Sequence, residues 1–425
     1  MNLISLVTKN RDFLFLTFTL IADRLLGFVI VFYLIRLVAE DLFAFWTQLN
    51  FLPGVLCGVI ALGLGNGILR LFIDNKISKK IISKLINVIS FLFLLLTSLT
   101  YISIVTFASS DAQIFLGGTS ATDKGILILF FFILIEGLFE IFLNYLRAKI
   151  SPRYLTFLLL RIAPRLMFAF SIFILNYDFW TSLIIYIGGS FVLLLYLRFE
   201  VSFCINKYQS DTDFNLKHLN DLVMNLIKYS FPVMIAGLSI PILNILVRGD
   251  IYRDYGYDAI GIFGIYMSFI GFLIYIPESF QGYIFPRFAR SADAEIKQKN
   301  NIRKQFILYF LFSFSICMLF VLIGPYLLEF LYPKSEWTFI DSTLISTTSL
   351  CWTTYFSLQR YFLVFYPLKN YLFTLISFLS LLIITFIDFE IFVGPASGVF
   401  EITIFFILCS FTVIISLALL QKRGA

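Results

Sequence analysis

Residues 125–147 read GILILFFFILIEGLFEIFLNYLR, and residues 154–175, after a short basic turn, read YLTFLLLRIAPRLMFAFSIFIL. Each stretch has the length of about 20 residues that crosses the hydrocarbon core of a bilayer as a helix. Glu136 and Glu140 lie in the first stretch, and Arg161 and Arg165 lie in the second. Charges inside hydrocarbon are costly and rare, and they usually pair or face a water-filled cavity. The two stretches therefore predict a membrane-embedded helical hairpin with charges of both signs inside it.

The rest of the chain has the same apolar character. Of its 425 residues, 60% are hydrophobic and only 14% are charged. A soluble domain of this size could not bury so much apolar surface. The sequence predicts an all-α polytopic membrane protein with about twelve transmembrane helices in two six-helix lobes. The predicted spans are 13–36, 43–70, 85–108, 125–147, 154–175, 180–198, 229–250, 259–285, 305–328, 339–364, 370–387 and 396–420.

The basic residues are distributed unevenly among the segments that connect these spans. Most of them fall in the amino-terminal segment and in alternate segments after it. The other connecting segments hold Arg36, Lys124, Arg253 and Lys334. Because basic residues are enriched in cytoplasmic loops, this distribution places both termini in the cytoplasm. It also accounts for the net charge of +6 without a nucleic-acid partner.

A polar segment at residues 201–228 divides the chain near its midpoint and predicts one lobe at 1–200 and another at 229–425. Several residues recur between the halves at a fixed offset: Arg36 with Arg253, Asp41 with Asp258, Gly65 with Gly282, and Arg70 with Arg287. Because each half has six spans, the repeat is parallel. Parallel repeats are a common plan in transporters, which bind substrate near the interface between the repeats.

The spacing of the hairpin charges predicts how they pair. Counted from the turn between the two stretches, Glu140 lies near the depth of Arg161, and Glu136 lies near the depth of Arg165. We therefore expect the pairs Glu140–Arg161 and Glu136–Arg165. Pro164 removes one backbone hydrogen bond and predicts a kink. Two interpretations remain open: the pairs only fix the register of the hairpin, or they line a wet central cavity, which the kink favours.

Other predicted spans also contain charges. Asp23 and Arg24 are adjacent in the first span, so their side chains point about 100° apart and need partners on other helices. Arg248 and Asp250 lie near the outer end of the seventh span. For these two, snorkelling to the membrane interface is an alternative to a role in a site.

Glu278 lies near mid-depth in the eighth span, and Arg360 lies in the tenth, where snorkelling is again an alternative. The chain has one histidine, and its five cysteines are scattered, so the sequence predicts no metal site. Gly54 and Gly58, four residues apart in the second span, predict close packing of that helix against a neighbour.

Three segments carry a resemblance to a known family. Residues 36–45, RLVAEDLFAF, resemble the Arg-Leu-Leu-Gly-Pro-Glu-Asp-Phe-Gly-Leu-Tyr type of turn of polysaccharide flippases, with Val38 and Phe43 in place of glycines. Residues 258–263 resemble the matching turn of the second lobe, and residues 285–290, FPRFAR, resemble the segment that closes the eighth span. The chain is thereby similar to O-antigen (Wzx-type) flippases of the multidrug/oligosaccharidyl-lipid/polysaccharide exporter superfamily, which includes the multidrug and toxin extrusion (MATE) antiporters. The resemblance implies a MATE-like fold.

The resemblance also implies a function. It suggests a multi-pass protein of the bacterial inner membrane, not an enzyme and without a cofactor. Its substrate would be an undecaprenyl-diphosphate-linked oligosaccharide, moved from the cytoplasmic to the periplasmic leaflet by alternating access coupled to H⁺ or Na⁺. A polysaccharide polymerase and a chain-length regulator would be its protein partners.

Guanidinium groups suit a diphosphate because they are permanently charged and bind oxygens in pairs. We therefore expect the arginines to bind the substrate, and the acidic residues to hold the arginines or carry the coupling ion. The substrate-binding residues would be Arg24, Arg161, Arg165, Arg248 and Arg360. The ion-coupling or charge-pairing residues would be Asp23, Glu136, Glu140, Asp250 and Glu278.

Two other functions compete with this one. A drug–cation antiporter would share the fold but would favour acidic and aromatic cavity walls. A membrane glycosyltransferase or O-antigen polymerase could use Glu40 and Asp41 as an acidic pair. Such enzymes build their active sites on long outer loops, whereas the outer loops here are short.

Overall fold

The described part of the chain is helical wherever it forms regular structure. The computed structural model describes residues 11–60, 79–108, 115, 122–148, 152–208, 224, 239–291, 296–333, 337–365, 370–386 and 394–422. The first seven helices are α1 (Arg11–Leu37), α2 (Glu40–Ile60), α3 (Lys79–Phe107), α4 (Thr122–Ala148), α5 (Pro152–Leu160), α6 (Ile162–Phe173) and α7 (Phe179–Tyr208). The remainder are α8 (239–255), α9 (Tyr257–Ser291), α10 (Ile296–Leu331), α11 (Phe339–Phe365), α12 (Asn370–Phe386) and α13 (Pro395–Lys422).

This architecture confirms the predicted all-α class, and each predicted span overlaps one of these helices or, for the fifth span, the pair α5 and α6. Helices are expected because a chain inside hydrocarbon must satisfy its backbone hydrogen bonds internally. Seven described stretches are long and apolar enough to cross a membrane, in α3, α4, α5–α6, α7, α9, α10 and α13. Large apolar side chains stay exposed on them, such as Phe91 of α3 at 64%, as expected for a surface that faces lipid.

One compact unit comprises residues 38–241. In it, α4 packs against α2, α3 and α7, and α6 packs against α7. Aromatic rings fill the space between these helices. Trp46 of α2 stacks on Phe168 of α6 with 4.6 Å between the ring centroids, and Tyr186 of α7 lies 5.2 Å from Phe132 of α4. This packing fixes the helices that carry the hairpin charges.

The other compact unit comprises residues 1–37 and 242–425. Its central helix, α11, packs against α9, α10 and α13. Buried hydroxyls join these helices: Thr348 lies 2.5 Å from the hydroxyl of Thr403 on α13, and Ser346 donates to the carbonyl of Cys317 on α10 at 3.0 Å. Small hydroxyl-bearing residues allow close helix packing and supply hydrogen bonds where no water is present.

Helix α1 belongs to this second unit because it packs against α9. The ring of Phe28 on α1 lies 4.5 Å from that of Phe269 on α9 in an edge-to-face arrangement. The compact units therefore differ from the two halves of the sequence in the placement of α1. The lobes at residues 1–200 and 229–425, joined by 201–228, stay a prediction about the repeat.

Polar residues cap the helices where the chain turns. Asp178 precedes α7 and accepts hydrogen bonds from the amide of Thr181 at 3.0 Å and from its hydroxyl at 2.5 Å, so it is an N-cap. At the start of α11, Thr338 and Asp341 bond each other's amides at 3.3 and 2.7 Å, which is a capping box. Gly256, with φ of 84°, is the single residue between α8 and α9 and adopts a left-handed conformation.

Candidate functional site

Arg161 lies at an interruption of the fifth predicted span. Helix α5 ends at Leu160 and α6 begins at Ile162, so Arg161 is the one residue between them. Pro164 explains the position, because it has no N–H to donate to the carbonyl of Leu160 and its ring presses on that carbonyl. The amide of Arg161 still donates to the carbonyl of Phe157 at 3.0 Å. The predicted distortion is confirmed, and it coincides with the first of the two arginines.

Arg161 binds both glutamates of α4. Its Nη2 contacts Oε2 of Glu136, and its Nη1 donates to Oε1 of Glu140 at 3.0 Å. Both carboxylates reach the same guanidinium because residues four apart lie on one face of a helix. The Arg161 side chain is 29% exposed, that of Glu136 is 17% exposed, and that of Glu140 is 48% exposed. Glu136 is therefore the less exposed partner and Glu140 the more exposed one.

Arg165 lies one turn beyond Arg161, beside the buried hydroxyl of Tyr186 on α7. The charges of Glu136 and Arg161 also act on that hydroxyl. The expected Glu140–Arg161 pair is present in the structure. Glu136 also contacts Arg161, and its expected pairing with Arg165 stays a prediction. A guanidinium presents its donors as a fork and can bridge two carboxylates. We call Glu136, Glu140, Arg161 and Arg165 the charged hairpin cluster.

The space around this cluster is tightly filled. Cys57 of α2 donates to a carbonyl of α4 at 3.2 Å and lies within electrostatic range of Glu136 and Arg161. A cavity of about 10 Å³ is lined by polar residues and by an equal number of apolar ones: Glu136, Arg161, Tyr186 and Ser190 with Ile135, Phe139, Pro164 and Leu193. This is room for about one water molecule. Within residues 38–241, the cluster thus lines a small cavity beside α7.

The remaining predicted residues lie apart from the cluster in sequence and in the other compact unit. Asp23 is half-buried on α1. The side chains of Arg24, Glu278 and Arg360 lie outside the part of the structure that is described. The roles of these three residues stay predictions.

Arg248 and Asp250 have different environments although both lie on α8. Arg248 is 2% exposed, and its guanidinium carbon lies 5.2 Å from the ring centroid of Phe263 on α9, close enough for a cation–π contact. Snorkelling would leave the guanidinium exposed, so that alternative is wrong for Arg248. Asp250 is exposed and pairs with Arg253, which is also exposed, at 3.1 Å, as an interfacial carboxylate would.

Three residues of this site were not among the predicted ones: Cys57, Tyr186 and Ser190. Tyr186 and Ser190 are polar residues four apart in an otherwise apolar span. This is the same spacing that singled out the glutamates and the arginines, and it could have identified the face of α7 that meets Arg165. Cys57 carries no such signal, because a cysteine in an apolar span is most often a small core residue.

Comparison with known proteins identifies the fold. No family model and no curated protein matches the chain. An inward-facing structure of a multidrug resistance MATE family transporter of the MOP superfamily superposes with a TM-score of 0.66 at 14% identity, covering 95% of this chain and 96% of that one. An outward-facing structure of such a transporter gives a TM-score of 0.64 at 11% identity, covering 97% of each chain.

A mutant of the Vibrio cholerae MATE transporter VcmN gives a TM-score of 0.66 at 12% identity, also covering 97% of each chain. The chain therefore has the MATE transporter fold along nearly its whole length. This confirms the predicted MATE-like architecture.

Proposed function

We propose that this protein transports a lipid-linked oligosaccharide, with undecaprenyl diphosphate as the lipid carrier, from the cytoplasmic to the periplasmic leaflet of a bacterial inner membrane. The two halves of the chain would alternate between inward- and outward-open arrangements around the substrate. The fold supports a transporter, since MATE structures are found in both inward- and outward-facing forms. The observation that favours an anionic substrate is the arginine pair of the charged hairpin cluster.

The arginine pair offers two guanidinium groups one helical turn apart at membrane depth. Arg161 is anchored by the half-buried Glu136, and Arg165 lies beside the hydroxyl of Tyr186. A diphosphate carries several anionic oxygens, and guanidinium groups bind such oxygens through charge-assisted pairs of hydrogen bonds. In this scheme the substrate diphosphate binds Arg165 and the accessible side of Arg161.

Glu140 provides a means of coupling. Arg161 has two carboxylate partners, so losing Glu140 leaves it anchored by Glu136. Glu140 is also the more exposed of the two glutamates, at 48%. Protonation of Glu140, or binding of Na⁺ to it, would release one edge of Arg161 for the substrate, and substrate departure would restore the pair. This exchange makes the ion and the diphosphate alternate at one guanidinium.

Other predicted residues extend this scheme. Arg24, Arg248 and Arg360 serve as further contacts for the diphosphate or for acidic sugars, and Asp23, Asp250 and Glu278 balance them or carry the coupling ion. Both termini lie in the cytoplasm. A polysaccharide polymerase and a chain-length regulator would use the translocated product.

A complementation experiment tests this function. In a strain that lacks the gene, undecaprenyl-linked oligosaccharide should accumulate on the cytoplasmic face, and the wild-type chain should restore surface polysaccharide. Arg165→Ala should reduce polysaccharide at least about tenfold, because each charge-assisted contact is worth about 1.5–3 kcal/mol. Arg165→Lys should retain part of the activity.

Arg153→Ala is the matched control. Arg153 lies in the first turn of α5, away from Arg161 and Arg165, and is ion-paired with Glu200. Arg153→Ala should leave surface polysaccharide near the wild-type level. Normal polysaccharide in Arg165→Ala cells, at equal protein in the membrane, would contradict the assignment. Accumulation of unextended oligosaccharide on the periplasmic face of the deletion strain would indicate a polymerase instead.

A drug–cation antiporter is the second candidate, because the similar structures include multidrug resistance transporters. In that case Glu136 and Glu140 would bind a cationic drug or its coupling ion after releasing Arg161. Expression of the chain would then raise resistance to cationic dyes, and Glu140→Gln would abolish it. The enzyme alternative has less support, since Glu40 and Asp41 lie in the first turn of α2, where acidic residues stabilise the helix dipole.

A further inference from the structure

One basic side chain of the unit at residues 38–241 is held in place by neutral partners. Arg198 of α7 is half-buried, and its Nη2 donates to Oδ1 of Asn87 on α3. Its Nη1 donates to the hydroxyl of Ser202 at 3.3 Å, and its guanidinium carbon lies 5.3 Å from the ring centroid of Phe142 on α4. Among the described residues, the carboxylates form no ion pair with Arg198. Its orientation is fixed while its charge is not neutralised.

Arg153 provides a contrast within the same unit. Its guanidinium is ion-paired with Glu200 and lies 4.8 Å from the ring centroid of Phe203. Arg153 and Arg198 thus both pack against an aromatic ring, but of the two only Arg153 has a described carboxylate partner. The difference indicates that Arg198 meets an anion from outside the protein.

The depth of Arg198 identifies the source of that anion. Helix α7 has 30 residues, about 45 Å at the usual rise, whereas the hydrocarbon core is about 30 Å thick and takes about 20 residues. Tryptophans commonly lie at a membrane interface, and Trp180 lies near one end of α7. Counting about 20 residues from it places the other boundary of the hydrocarbon core near Glu200. On α3, counting about 20 residues back from Phe107 leads to Asn87. Arg198 and Asn87 therefore meet near the hydrocarbon boundary, from which the long side chain of an arginine can reach the lipid phosphates.

A second cation lies beside this position. Lys84 is exposed on α3 and precedes Asn87 by three residues, so the two side chains share one face of the helix. Two cations at one boundary favour an anionic head group over a zwitterionic one, whose ammonium group would be repelled. By the distribution of basic residues, this end of the helices faces the cytoplasm.

We propose that Arg198, held by Asn87 and Ser202, binds the phosphate of an anionic phospholipid of the cytoplasmic leaflet, with Lys84 as a second contact. The bound lipid would supply the counterion that the described protein residues lack. This site is independent of the transported substrate, because it uses none of the charged hairpin cluster.

Native mass spectrometry of the full chain in detergent tests the site. The probes are phosphatidylglycerol and phosphatidylcholine of the same acyl chains. We expect wild-type protein to retain phosphatidylglycerol preferentially, and Arg198→Gln to weaken its binding about tenfold, the equivalent of one charge-assisted hydrogen bond. Arg153→Gln is the matched control and should bind phosphatidylglycerol like the wild type.

Two further variants separate binding from folding. Lys84→Gln, which leaves the contacts of Arg198 intact, should weaken phosphatidylglycerol binding by a few fold. Arg198→Lys should bind phosphatidylglycerol more weakly than the wild type but more tightly than Arg198→Gln. A lysine keeps the positive charge but lacks the paired N–H donors of a guanidinium group. Equal retention of phosphatidylglycerol by wild type and Arg198→Gln would overturn the proposal. Equal losses in Arg198→Gln and Arg153→Gln would also overturn it, because they would show attraction by overall basic charge.

Discussion

Arg161 bridges the carboxylates of Glu136 and Glu140, which share one face of α4. Two carboxylates and two guanidinium groups make the cluster neutral as a whole, which lowers the cost of placing it in a membrane. Within it both glutamates contact Arg161, and Arg165 lies beside Tyr186. In the proposed function, Arg165 is the arginine beside Tyr186 that would bind the anionic substrate.

A double-mutant cycle measures how strongly Glu136 interacts with each arginine. Replacing Glu136 and Arg161 by glutamine, singly and together, should give a coupling free energy of about 1–2 kcal/mol in thermal unfolding, as contacting charges do. The same cycle for Glu136 and Arg165 should give a smaller coupling, because the described contact of Glu136 is with Arg161. A larger coupling for Glu136 with Arg165 than with Arg161 would show that the pairing expected from sequence is the one that forms.

Asp178 lies outside the membrane-spanning segments, and its carboxyl predicts that the stability of the protein depends on pH. Its hydrogen bonds from Thr181 lower the pKa of the Asp178 carboxyl below the ordinary value of 3.8. Because the pKa is lower in the folded state, the stabilisation is present above pH 3.8 and is lost as the pH falls through the lowered value. Melting temperatures between pH 6 and 3 should therefore fall less steeply for Asp178→Asn than for the wild type.

Asp178→Asn keeps an acceptor for the amide of Thr181, so its melting temperature near pH 6 should stay close to that of the wild type. Asp178→Ala removes the cap and should melt at a lower temperature over the whole range. Identical pH profiles for wild type and Asp178→Asn would contradict the role of this carboxylate.

At the scale of helices, close packing depends on glycines that the sequence did not single out. Gly54, predicted to permit close packing, has open space where a Cβ would lie. Gly137 of α4 does not, since a Cβ there would lie 1.9 Å from the ring of Phe93 on α3. The spacing of glycines along one helix cannot show which of them faces a neighbouring ring, because that depends on how both helices are rotated.

Gly137 and Gly54 form a matched pair for a stability test. Gly137→Ala should destabilise the protein by about 1–3 kcal/mol, as overpacking does. Gly54→Ala should be neutral or stabilising by up to about 1 kcal/mol, because alanine favours the helix more than glycine. The comparison requires only melting curves in one detergent. Equal effects of the two substitutions would contradict the packing of α3 against α4.

The helices themselves were predictable because the apolar runs have the length that a bilayer requires, and each of these runs overlaps a helix. The break at Arg161 was predictable from Pro164, whose missing N–H acts locally. The contact between Glu136 and Arg161 was not predictable. Counting residues from the turn gives only the depth of each charge in the membrane, whereas the direction of each arginine side chain depends on how α6 is rotated about its axis. The burial of Arg248 was also unpredictable, because it depends on Phe263 from the next helix.

At the scale of the whole molecule, the chain has the fold of MATE transporters and keeps several arginines among its membrane-embedded charges. Transporters of cations favour acidic and aromatic walls, whereas a diphosphate needs permanent positive charge. Arg161 and Arg165 lie in one compact unit, and the buried Arg248 lies in the other. Transport of a lipid-linked oligosaccharide is the proposal that uses these features together.

Reconstitution of the purified chain in liposomes measures that transport directly. Undecaprenyl-diphosphate-linked oligosaccharide is placed in both leaflets, and the fraction reached by an added, membrane-impermeant oligosaccharide-cleaving enzyme is followed over time. We predict that the wild-type protein makes nearly all of the lipid accessible, that Arg165→Ala leaves the inner-leaflet half protected, and that Arg153→Ala behaves like the wild type. An inner-leaflet half that stays protected with the wild-type protein, while the same liposomes transport a cationic dye, would contradict the account.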